Sequence, residues 1–104
     1  MSDPIWSEQF RLAAKQWVSL NSAADLLEET KTAVLSQMMK RLGDIPVSHA
    51  EREVKSSPEW IDHVTKMVKA REAANLAKVK MEYLRMKFQE QSSAEASARS
   101  ERRL

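Results

Sequence analysis

The chain of 104 residues has no cysteine, one glycine and three prolines. Without cysteine there is no disulfide framework, no thiolate metal site and no cysteine nucleophile. A single glycine excludes the phosphate-cradling loop and the dinucleotide fingerprint, each of which needs several. Sheet proteins also need glycine-rich turns, so an all-β or α/β fold is not expected. No apolar run approaches the roughly 20 residues of a membrane span. The opening Met1-Ser2-Asp3-Pro4 lacks a basic region followed by an apolar one, so no secretion signal is expected and the expected location is cytoplasmic. What is present is 42% hydrophobic and 31% charged residues, the balance of a helical protein of one domain at most.

Charge is unevenly placed. Residues 1–60 carry 7 Lys/Arg against 9 Asp/Glu, residues 61–90 carry 7 against 4, and residues 91–104 carry 3 against 2. The basic excess lies in the second half, which suits an acidic partner or nucleic acid.

The first helical stretch is expected from about Ser7 to Leu42, with Asp3-Pro4 as its N-cap and first turn. Phe10, Ala13, Trp17, Leu20, Ala24, Leu27, Val34 and Met38 recur at alternating steps of three and four, one apolar stripe in which Lys31 is the one charged position. Ser19-Leu20-Asn21-Ser22 is the one place where the stretch divides, if Ser22 caps a new helix ahead of Asp25. Unbroken, its 36 residues span roughly 54 Å, which implies a long hairpin and not a compact bundle. Gly43 and Pro46 end it. Ser48 and Glu51 have the spacing of a capping box, so a short helix from His49 to about Lys55 is expected in the connector.

Ser57-Pro58-Glu59 opens a second long helix, expected to run to about Gln91. Its main stripe is Met67, Ala70, Ala74, Ala77, Met81, Leu84 and Phe88, assigned as an oligomer interface. The alanines permit close approach of another helix. A second stripe, Leu76, Val79, Tyr83 and Met86, is taken to lie beside the first. Adjacent stripes need more than one neighbour, so a third helix or a second subunit is expected, and a homo-oligomer is favoured. The fold expected is all-α: a long helical hairpin with coiled-coil-like packing, one domain over residues 1–91. Residues 92–104 form a tail, either frayed or a short helix begun by Ser92 and Glu95.

Chemistry is scarce. His49 and His63 lack a second ligand at helical spacing, so no metal site is expected. The carboxylates sit among Lys and Arg on polar faces, so no catalytic residue, cofactor or small-molecule substrate is expected and the protein is taken as non-enzymatic. The basic residues of the second helix carry the functional expectation. Arg71, Lys78 and Arg85 recur every seven residues, Lys66, Lys69, Lys80 and Lys87 form a neighbouring ridge, and Tyr83 lies between Lys80 and Lys87. Such rows suit successive phosphates, and the aromatic ring suits an unpaired base. Ordinary solvated cations with their stems over apolar surface are the plainer account. Trp6, Trp17 and Trp60 are expected in core or cap packing, with Trp6 the least constrained.

The run Lys69–Phe88 (KAREAANLAKVKMEYLRMKF), continued by residues 91–104 (QSSAEASARSERRL), resembles a family of small all-helical proteins encoded by tailed phages and prophages. Residues 23–31 (AADLLEETK) and 51–60 (EREVKSSPEW) are similar to that family too, so the likeness spans nearly the whole chain. The resemblance implies an early-region setting near genes of homologous recombination, and an ordered tail. It supplies no catalytic residue. The expected function is an accessory protein of phage DNA metabolism that binds DNA through the basic face as an oligomer. The alternative is a protein-binding module that engages a host nuclease, a defence complex, or a phage or host recombination protein.

Overall fold

The computed structural model describes residues 5–103, and the expected cap at Asp3-Pro4 lies outside them. Four helices follow one another: α1 (Trp6–Glu29), α2 (Lys31–Lys40), α3 (Val47–Lys55) and α4 (Pro58–Arg103). The architecture is the expected all-α hairpin, with α1 lying along α4 as the dominant packing and α3 bridging α2 and α4 at the closed end. The molecule is a rod, 83 × 26 × 18 Å, with a radius of gyration of 23.2 Å. A compact chain of this length has a radius of gyration of about 13 Å.

The first stretch does divide, but not at Ser19–Ser22. α1 runs unbroken through that segment, and the break falls at Thr30 (φ −90°, ψ 0°). The Thr30 hydroxyl donates to the Leu26 carbonyl at 2.7 Å, closing the end of α1 with its own side chain. Asn21, the expected breaker, instead joins its side chain to a partner on α4. In the connector, Gly43 takes φ +87°, the left-handed conformation that suits a residue without Cβ. The short helix starts at Val47 with Pro46 as its cap residue and no side-chain cap bond, so the Ser48–Glu51 box does not form.

The start of α4 is as expected. The Trp60 N–H donates to Ser57 Oγ at 3.2 Å, with Pro58 in the first turn. Arg41 Nη1 donates to Glu59 Oε1 at 3.0 Å and ties the end of α2 to this turn. Trp60 is buried and stacks on His63 with ring centroids 5.8 Å apart, and His63 Nε2 is buried without a hydrogen-bond partner. The other end differs. α4 does not stop near Gln91 but continues to Arg103 as one helix of 46 residues, exposed throughout from Phe88 onward. No residue between Gln91 and Arg103 is proline or glycine, and the alanines favour continuation.

The core is a thin seam. Ala24 and Ala74 are fully buried, and Ala13, Ala77, Met67 and Leu84 are nearly so. Small residues let the two helix backbones approach, and the larger Met and Leu fill the wider gaps along the rod.

Candidate interaction surface

The stripe assigned to an oligomer interface is occupied within the chain. Met67, Ala74, Ala77 and Leu84 are buried, Ala70 and Met81 are partly covered, and Phe88 is 48% exposed. The physical reason is that α1 of the same chain supplies the matching stripe. Phe88 closes an apolar cleft of about 250 Å³ with Trp6, Phe10 and Arg85 at the open end of the hairpin.

The second stripe does not lie beside the first. At about 100° per residue, its positions fall on the opposite side of α4, away from α1. Ile61, Val68, Leu76, Val79, Tyr83 and Met86 are six large apolar residues on this side, each between 53% and 63% exposed. From Ile61 to Met86 the ridge runs about 37 Å along the helix. Ile61 and Val68 extend the stripe read from the sequence, and their spacing of seven was the signal for them.

The basic residues separate the two apolar sides. Lys66, Lys80 and Lys87 flank the seam on one side and Arg71, Lys78 and Arg85 on the other, while the outer side itself carries Asp62, Lys69, Glu72, Glu82 and Glu90. Arg71 does not belong to a free binding surface. Its Nε and Nη2 donate to the two Glu28 oxygens at 3.0 and 2.6 Å, Nη2 donates to Asp25 at 2.6 Å, and Nη1 donates to Asn21 Oδ1 at 2.7 Å. It is a clasp across the hairpin because its position lies at the seam edge, facing the acids of α1. Lys66 lies 3.8 Å from Asp62, and Lys87 lies 3.6 Å from Glu90 and 5.7 Å from the Tyr83 ring centroid. Lys80 borders a shallow cleft with Gln9, Leu12 and Gln16 of α1, and Lys69 and Lys78 are exposed.

The clasp has a pH signature. The hydrogen bond from Arg71 holds the Glu28 carboxyl below the ordinary carboxylate value, and the same bond raises the guanidinium further. A carboxyl whose folded value is depressed stabilises the fold fully above its unfolded value, and that contribution is lost as the pH falls through the folded one. Thermal melts at pH 7 and pH 3 are therefore expected to show a larger drop in Tm for the natural chain than for Arg71→Gln, which starts lower at pH 7. Equal drops would remove the clasp from the account.

Among the described residues no group of three or more His, Asp or Glu is placed to hold a metal ion, and no helix is long and apolar enough to cross a membrane. Fold and surface together define a helical hairpin with one long helix, apolar on two opposite sides, of which one is covered. Comparison with known protein families, curated proteins and solved structures finds no match to this chain.

Proposed function

We propose that this protein is a non-enzymatic accessory protein that works by binding another protein through the outer side of α4. The observation that carries the proposal is the group Leu76, Val79, Tyr83 and Met86, neighbours along one face and more than half exposed, with Ile61 and Val68 further along the same face beyond Glu72. Scattered surface apolar residues need no explanation, whereas a contiguous patch such as residues 76–86 present is the ordinary sign of an interaction site. The resemblance to small phage and prophage proteins supports a setting in phage DNA metabolism, inside a host cell.

DNA contact is the second reading, and the cluster of Lys80, Tyr83 and Lys87 favours it. It loses Arg71 to the clasp and leaves the aliphatic members of the ridge uncovered, so it ranks below protein binding. Affinity capture from a lysate of the cells that express the chain separates the two. A specific protein retained by the natural chain, and lost with Leu76→Ala combined with Val79→Ala, is the expected result. Retention of that protein by the double variant contradicts the proposal. For DNA, labelled single and double strands are titrated at two salt concentrations. Phosphate contact would give affinity that falls steeply with salt, with a shallower slope after Lys80→Ala with Lys87→Ala.

A further inference from the structure

We infer that residues 89–103, the end of α4 that runs past α1, pair antiparallel with the same segment of a second copy of this chain. This contact lies away from the outer side of α4 and does not depend on the protein-binding proposal.

Three observations select this occupant. First, the segment has no cover in its own chain. Every residue from Phe88 to Arg103 is exposed, over about 22 Å of helix beyond Phe88. A helix that is polar all round gains nothing from burial, and a second helix alongside is one of its ordinary supports. Second, the surface left bare continues the track of α1. A cleft of about 410 Å³ between Trp6, Phe88, Gln91 and Glu95 follows the one that Phe10 lines. Another of about 300 Å³ runs on over Glu95, Ala98, Arg99 and Arg102. Phe88, Gln91, Glu95, Ala98 and Arg102 keep the three-four spacing of the seam, so a helix lying in this trough runs in line with α1.

Third, the charges are polarised. Glu90 and Glu95 are the charged residues of the near half, while Arg99, Arg102 and Arg103 outnumber Glu101 in the far half. The helix dipole favours that polarity in any helix, but it does not set a trough in line with α1. Antiparallel pairing in the register of the seam puts Gln91 opposite Arg102 of the second copy, and Glu95 opposite Ala98 and next to Arg99. Each acidic half then meets the basic half of the other copy, and two-fold symmetry makes every such contact twice. Parallel pairing sets Glu95 on Glu95 and Arg102 on Arg102. A nucleic-acid strand suits the arginines but meets Glu95 in the same trough.

The test follows the mass of the full chain against concentration by analytical ultracentrifugation, at low and at moderate salt. A monomer–dimer equilibrium is expected, weakened by salt because the contact is polar. Arg99→Glu with Arg102→Glu makes the segment acidic throughout and weakens dimerisation at least tenfold. Glu90→Lys with Glu95→Lys makes it basic throughout and does the same. An equimolar mixture of the two variants dimerises at least as tightly as the natural chain. Where the chains are monomeric, each variant keeps its Tm within a few degrees, since the altered residues are uncovered in the single chain. Glu90→Gln with Glu95→Gln separates the orientations, because it weakens an antiparallel pair and strengthens a parallel one. A tighter dimer with that variant overturns the inference, as does a monomer at every concentration or a mixture of the charge variants that stays monomeric. A dimer that both charge variants leave intact, or that Leu76→Ala with Val79→Ala dissolves, uses another face and overturns it. Labelled single-stranded DNA bound by a monomeric chain, and released by Arg99→Glu with Arg102→Glu, assigns the segment to nucleic acid and overturns it as well.

Discussion

Ala74→Leu is expected to destabilise the hairpin by about 1–3 kcal/mol, the usual cost of forcing extra methylenes into a closed seam. Ala74 has no exposed surface, and neither does Ala24 on the facing helix. One turn away, Arg71 reaches Asn21, Asp25 and Glu28 on the same stretch of α1, so the two helices are held close on that side of the seam. A leucine at position 74 must push α1 outward, and the clasp resists. Urea denaturation followed by helical circular dichroism measures the loss. Leu76→Ala, two residues on but 63% exposed in the natural chain, is the control and should change stability by no more than about 0.5 kcal/mol. Equal effects at the two positions would mean that α1 does not cover the side of α4 that carries Ala74.

Trp60→Ala is expected to cost more, about 3–5 kcal/mol, as truncation of a buried aromatic does. Trp60 is 5% exposed in the first turn of α4, and its ring covers His63. Trp60 is the largest buried side chain at the closed end, where α3 buries only Ala50 and Val54 and Val34, Leu35, Met38 and Met39 of α2 are partly covered. Removal of the indole therefore loosens the packing of α3 against the start of α4, while the Ser57 cap is left intact. Hydrogen exchange should report the loss first in residues 47–66 and last in the Ala74 region. A uniform increase along the rod would contradict a local role for Trp60.

The elements that local chemistry dictates are the ones legible in the sequence. Ser57-Pro58, Gly43 and the three-four spacing of Met67, Ala70, Ala74 and Ala77 each specify a start, a stop and a face without reference to the rest of the chain. What depended on tertiary neighbours was not legible. Ser19–Ser22 has the composition of a break, yet Asn21 finds Arg71 across the hairpin and the helix continues to Thr30. Ser48 and Glu51 have capping spacing, but Pro46 begins the helix earlier. The residues after Gln91 lack apolar anchors, and helix propensity carries α4 onward without them.

The surface followed the same division. The cations of α4 were identifiable from spacing, but the fate of Arg71 depended on two acids more than forty residues away in sequence. The second apolar stripe was visible as a pattern and misplaced in angle. Steps of three and four show that a stripe exists, whereas its position relative to another stripe needs the accumulated rotation along the helix. Set opposite the seam, it changes the expectation from a helix with two adjacent neighbours to a helix with one neighbour in the chain and one side open.

The absence of cysteine makes a direct test of that arrangement simple, because a single introduced thiol is the only one in the molecule. Ala77→Cys and Val79→Cys place it two residues apart on opposite sides of α4, at positions that are 7% and 61% exposed in the natural chain. With a thiol reagent at low protein concentration, the thiol at position 79 is expected to react at the rate of an unfolded control, and the thiol at position 77 far more slowly until denaturant is added. Equal rates at the two positions, or protection of position 79 in the isolated chain, would contradict a hairpin that covers one side of α4 and leaves the other open.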